Sequence, residues 1–164
     1  MSDSYVECLV KGKSSMMMKI ARVLLIALTV FFVMLGMALP VIWIAAIICG
    51  VGAYFVNMNA EVEYEYLYLD KELTIDKVMN RSKRKRVGVY ELTRMEILAP
   101  MKSYHLDDYR NRTVKTEDYS SGEEKQPETR YLMYYNGEKK LILEPNEEMV
   151  KVMKNVAPRK VFLD

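Results

Sequence analysis

The chain is short of the side chains from which metal centres, disulfide scaffolds and nucleophilic active sites are built. Its 164 residues hold two cysteines, one histidine and one tryptophan. Cys8 precedes a long apolar run and Cys49 lies inside it, so a disulfide between them would require Cys8 at membrane depth. Two free thiols are expected, and no secreted disulfide framework. There is no Cys-x-x-Cys pair, and His105 alone cannot complete a structural zinc site. No metal and no cofactor are expected. Charge of one sign is also scarce, with a formal net charge of +2. Lys11, Lys13, Lys19 and Arg22 outnumber Asp3 and Glu7 near the start, and the charges of residues 57–164 cancel. A balanced, well-mixed domain gives no basis for general nucleic-acid binding.

The most informative absence is local. From Val23 to Val56 there is no charged residue. One helix over that stretch would be about 50 Å long, against a hydrocarbon slab of about 30 Å. Gly36-Met37-Ala38-Leu39-Pro40 interrupts the run near its middle. Two spans are therefore expected, Met16–Leu35 and Leu39–Val56, joined by a tight turn. Lys19 and Arg22 can snorkel from the first turns of the first span. Pro40 suits the first turn of the second, and Trp43 and Tyr54 fall towards its two ends. Ala45, Cys49 and Ala53 recur every fourth residue and permit close helix approach. A cleaved signal peptide fits the basic flank but not the uninterrupted passage into a second span. A buried hairpin of a soluble protein would show a polar face, and none is present.

The basic residues precede the first span and the turn between spans has none, so both termini are expected in the cytoplasm, in an integral cell-membrane protein. Asn80-Arg81-Ser82 and Asn111-Arg112-Thr113 match the glycosylation sequon and argue for the opposite face. That pattern is common by chance, and the charge asymmetry outweighs it. The resulting division is a cytoplasmic tail over 1–15, a transmembrane hairpin over 16–57 and a β domain over 58–164.

After the spans the periodicity changes to alternation. Val62, Tyr64, Tyr66 and Tyr68 share one face of a strand, with Glu61, Glu63 and Glu65 opening the other. Glu72–Met79 reads as a second strand after an Asp70-Lys71 turn. A polar connection over 80–86 leads to a third strand at Val87–Tyr90. Ile97–Met101 and Tyr104–Tyr109 read as two more. Residues 115–128 are polar and aperiodic and read as a mobile loop. Thr129–Tyr135 and Lys139–Leu143 form the last strands, joined by Asn136-Gly137, a strong type I′ hairpin signal. Asn146 caps a final helix, Glu147 and Glu148 suit its positive end, and Pro158 stops it.

The fold class is thus α+β: a two-helix hairpin, then an antiparallel β-barrel or sandwich capped by a C-terminal helix. This order resembles the pleckstrin-homology-like (PH-like) fold. Tyr64-Glu65-Tyr66-Leu67-Tyr68-Leu69-Asp70-Lys71-Glu72-Leu73-Thr74-Ile75-Asp76 resembles the opening hairpin of bacterial membrane-anchored PH-like domains. Leu141-Ile142-Leu143-Glu144-Pro145-Asn146 resembles their last strand and helix start. Over 16–164 the chain is similar to small bacterial two-span membrane proteins of a family of unknown function. The resemblance rests on arrangement, and no functional residue is carried over by it.

Few motifs carry chemistry. Gly12-Lys13-Ser14 looks like the end of a P-loop, but Glu7 stands where the first glycine belongs. His105 near Asp107 and Asp108 matches no catalytic constellation. Ser120 and Ser121 are poor nucleophile candidates. The tyrosines at 64, 66 and 68 and at 131, 134 and 135 could line a groove, but such residues more often form a sheet core. The strongest candidate site is Arg81-Ser82-Lys83-Arg84-Lys85-Arg86. Three readings stand: a solvated connection balancing the acidic strand, contact with anionic lipid, or a specific acidic partner. No aromatic platform is interleaved with the charge, which argues against nucleic acid. The function expected is a non-enzymatic, membrane-anchored binding or scaffolding module with a possible protein partner. The alternative is a small membrane enzyme or an accessory subunit of a transport complex. The sequence leaves the oligomeric state open.

Overall fold

The computed structural model describes residues 5–13 and 16–163. The chain divides into two compact units. One joins residues 14–62 to 79–83, and the other joins 1–13, 63–78 and 84–164.

The first unit is built on a helical hairpin. Helix α1 (Met16–Gly36) and helix α2 (Trp43–Ala60) are joined by a turn and a 3-10 segment, Pro40–Ile42. With that segment included, both are 21 residues long and apolar enough to cross a membrane. At 1.5 Å per residue each is about 32 Å, close to the hydrocarbon thickness. Gly36 is buried because the Trp43 indole lies over it: a Cβ there would meet Trp43 Nε1 at 3.1 Å. Lower in the hairpin Gly50 faces the Thr29 methyl, and Gly52 faces Leu25. Ala45, Cys49 and Ala53 are half-buried, and Ala46 beside them is buried. The Thr29 hydroxyl donates to its own helix at Leu25 O (2.7 Å), which removes a polar group from the apolar surface. The α2 helix runs four residues beyond the expected boundary at Val56, to Ala60.

The second unit is a two-sheet β domain. Strands β1 (Val6–Lys11), β2 (Val62–Leu69), β3 (Glu72–Met79) and β4 (Lys83–Glu91) form one sheet in that order. Strands β5 (Met95–Pro100), β6 (Lys115–Asp118), β7 (Tyr131–Tyr135) and β8 (Lys139–Leu143) form the other, in the order β5-β7-β8-β6. Residues 6–11, expected within an N-terminal tail over 1–15, are a strand instead. Val6–Lys11 pairs antiparallel with β2, from Val6 opposite Tyr68 to Lys11 opposite Glu63. Val6, Cys8 and Val10 thereby lie opposite the tyrosine face of β2. The helical hairpin is consequently an insertion between two neighbouring strands.

Three further expectations change. The polar connection over 80–86 is much shorter, because β4 begins at Lys83. Asn80 and Arg81 both take positive φ (47° and 54°), the type I′ geometry that allows strands to start directly after a turn. Tyr104–Tyr109 is helical: Ser103 caps a 3-10 turn that leads into α3 (Asp107–Arg110). Residues 115–118 are β6, which runs parallel to β8, so the second sheet is mixed and the domain is not a closed barrel. Asn136 and Gly137 take positive φ as the hairpin signal requires. Helix α4 (Glu147–Val156) starts at Asn146, whose side chain accepts from Met149 N (2.9 Å).

Between the sheets and α4 lies the main core, with Tyr66, Leu73, Ile75, Leu98, Met133, Leu141, Met149 and Met153 all buried. Tyr66 and Tyr68 are core residues rather than a groove lining. A smaller cluster of Ile97, Ala99, Leu106, Leu132 and Tyr134 covers the opposite side of β5 and β7. The segment after α4 pairs with β5 through Leu98 N to Lys160 O (2.7 Å) and Phe162 N to Leu98 O (2.8 Å). That protects an edge that would otherwise offer unpaired backbone groups.

Candidate functional site

The basic segment is split by the structure into two groups. Arg84 and Arg86 reach back over their own sheet. Arg84 Nη1 lies 3.1 Å from Glu65 Oε2 on β2, and Arg86 Nε lies 3.6 Å from Asp76 Oδ1 on β3. Glu65 is only 2% exposed. Burial raises its pKa, and so does its hydrogen bond to Glu7 on β1. Glu7 is lowered by accepting from Glu65 and from the Tyr5 hydroxyl (3.0 Å). Glu7, Glu65, Asp76, Arg84 and Arg86 therefore form a charge cluster across one sheet face, in which both arginines are committed.

Arg81, Lys83 and Lys85 are exposed and form no ion pair among the described residues. Arg81 and Lys83 belong to the hairpin unit. There the Asn80 amide donates to Glu61 O at 3.0 Å, fixing the β3–β4 turn to the end of α2. Sequence reasoning found all five cations but could not separate these groups, because Glu65 and Asp76 lie on other strands.

Two polar centres escaped the sequence reading. The Glu144 carboxylate, 8% exposed, accepts from Lys125 Nζ (2.8 Å), Thr129 Oγ1 (2.9 Å) and Ser121 N (3.1 Å). Burial works to raise its pKa, but these donors outweigh it and hold the group at about 2. The segment read as a mobile loop is thereby tied down. Glu117 accepts from the Tyr119 hydroxyl (2.8 Å) and the Tyr90 hydroxyl (3.0 Å). Lys115 Nζ lies 2.9 Å and Lys139 Nζ 3.5 Å from the same carboxylate. Lys115 contributes most to lowering it to about 2; burial opposes, and the tyrosines and Lys139 add to the lowering. These donors hold both carboxylates in their charged form, so they serve as structural acceptors and not as proton carriers at neutral pH.

His105 stacks on Phe162 at 3.8 Å and against Tyr104 at 4.0 Å, while Asp107 pairs with Arg110 (3.2 Å). Ser120 Oγ donates to Asp118 (2.7 Å) in a local turn. Ser14 of the Gly-Lys-Ser stretch lies outside the described residues. A cleft of about 300 Å³ opens between the β2–β3 turn and the end of α4, lined by Lys71, Leu92, Thr93, Val156, Arg159 and Lys160 among others. Lys160 Nζ is tied to Thr93 O (3.0 Å) there.

No curated protein and no solved structure gives a match to this chain. The model of one protein family does, over residues 2–163, a range that takes in β1, the hairpin and both sheets. With strands, inserted hairpin and terminal helix all inside that match, the chain belongs to the bacterial PH-like domain family DUF6106.

Proposed function

We propose that the protein is a non-enzymatic, membrane-anchored module. The hairpin spans the cell membrane, and the PH-like domain is held on its cytoplasmic side to bind or scaffold a protein partner. The observation that carries this reading is the β1–β2 pairing. The segments before and after the hairpin are hydrogen-bonded over six residue pairs. They must then share a compartment, which a two-span hairpin allows and a single span forbids. The cytoplasmic side is supported by the basic residues at the open end of the hairpin and their absence from its turn. The non-enzymatic part is supported by the way Glu117 and Glu144 are consumed in structural bonds. Lys85 and the other exposed cations are available for an acidic surface.

Cysteine accessibility in intact cells tests the topology. In a chain lacking Cys8 and Cys49, Lys11→Cys and Glu124→Cys should react with an impermeant maleimide only after permeabilisation. Met37→Cys should react from outside. Reaction of Lys11→Cys and Glu124→Cys on different sides would end the proposal.

A further inference from the structure

We propose that the open end of the helical hairpin is a binding site for the headgroup phosphate of an anionic phospholipid, built from Lys19, Arg22, Arg81 and Lys83. This rests on the reading that the hairpin spans a bilayer. The four cations come from separate stretches of sequence, yet they are all the basic residues of the hairpin unit, whose only acidic residue is Glu61.

Their common level follows from helix register. Gly36 faces Trp43, Gly50 faces Thr29 and Gly52 faces Leu25, so the helices run antiparallel without slippage. Continued towards the open end, that register sets Lys19 beside the last turn of α2, and Arg22 one turn deeper. The Asn80–Glu61 bond (3.0 Å) brings the β3–β4 turn to the same level. The span Pro40–Ala60 is 21 residues. Its length matches the hydrocarbon slab, so the chain just past Ala60 sits among headgroups. Arg22 can reach that level by snorkelling along its own helix. The opposite end of the hairpin carries no charge at all.

None of the four forms an ion pair among the described residues, unlike Arg84 and Arg86 a few positions further on. Unpaired cations at headgroup depth are the arrangement that gains from an anionic lipid. Arginine adds a planar fork that matches two phosphate oxygens, and lysine adds a point charge. A zwitterionic headgroup offers the same phosphate but brings an ammonium group that the cations repel. The site therefore selects lipids of net negative charge.

The test uses the full chain in phosphatidylcholine vesicles containing a trace of spin-labelled phosphatidylglycerol or spin-labelled phosphatidylcholine. The fraction of each label immobilised by the protein is read by electron paramagnetic resonance. The unaltered chain should prefer phosphatidylglycerol. Arg81→Gln with Lys83→Gln should lower that preference by about fivefold, and added salt should erode it. Arg81→Lys should keep most of it, and Lys154→Gln with Arg159→Gln, in the last turn of α4 and just after it, should leave it unchanged. A chain that alkaline carbonate strips from vesicles overturns the spanning reading and the site with it. An embedded chain with equal preference before and after the Arg81 and Lys83 changes overturns the site alone. So does an embedded chain with no lipid preference whose cations retain a polyglutamate peptide, which assigns them to an acidic protein.

Discussion

The Tyr66 hydroxyl joins three parts of the β domain: it accepts from the Glu144 amide at 3.2 Å and donates to Tyr119 O at 2.5 Å. Burial raises the phenol well above its usual pKa, which favours the protonated, donating form. Tyr66→Phe keeps the ring and strands two buried backbone groups. The expected loss is about 1–3 kcal/mol in denaturant unfolding of the full chain in detergent. Hydrogen exchange should rise first around Tyr119 and Glu144. An unchanged midpoint would mean that water replaces the hydroxyl without cost.

Acid should loosen the polar segment that follows β6. Glu144 and Glu117 both fall to about 2 in the folded state. An unfolded glutamate titrates near ~4.3. A depressed carboxylate contributes stability that is present above its unfolded value and lost as pH falls through its folded value. The window therefore runs from about pH 4.5 down to 2. Glu65 has the opposite sign, since its raised pKa favours the fold at lower pH and loses that contribution as pH rises. Limited proteolysis between Ser121 and Glu128 should accelerate inside the acid window. Glu144→Gln should show faster cleavage already at neutral pH, with a smaller further change on acidification.

The hairpin turn has its own reporter, because Trp43 is the only tryptophan. Gly36→Ala places a methyl group against the indole, at 3.1 Å from Nε1. The ring must shift by a few tenths of an ångström. A changed emission maximum is expected, with a cost of about 1 kcal/mol to the helix pair. Gly52→Ala, where the nearest atoms are 3.9 Å away, should leave the emission as it is.

Lys71 stands at φ +66° in the β2–β3 turn, following Asp70 at +49°. A side chain in the left-handed region costs roughly 1 kcal/mol that glycine does not. Lys71→Gly should therefore raise the thermal midpoint by a few degrees. A fall would show that the Lys71 stem packs along the neighbouring cleft strongly enough to outweigh the strain.

Much of this architecture could be read from local signals. The charge-free run broken at Gly36 and Pro40, the Asn136-Gly137 turn and the Asn146 cap each depend on residues close in sequence. What was missed depends on distant partners. Val6–Lys11 alternates well enough for a strand, but its partner begins after the whole hairpin. The first half of β4 has no apolar residue to announce it, and it is held by Glu65 and Asp76 from two other strands. Strand β6 is Lys-Thr-Glu-Asp, polar throughout, and it exists because β8 runs beside it. The candidate cations were visible as a run, whereas their division into committed and available groups appears only once the strands are aligned.

The placement of the hairpin between β1 and β2 also bears on biogenesis. The first strand leaves the ribosome early and has no neighbour to bind until both helices and the next strand have been made. If the hairpin spans a bilayer, closure of the sheet then requires the intervening segment to return to the compartment it left. A nascent chain in which only one of the two helices crossed would leave the two strands on opposite sides of the bilayer, and the tyrosine face of β2 would stay uncovered. In a membrane-inserted chain the sheet can therefore close only when both helices of the hairpin have crossed or neither has.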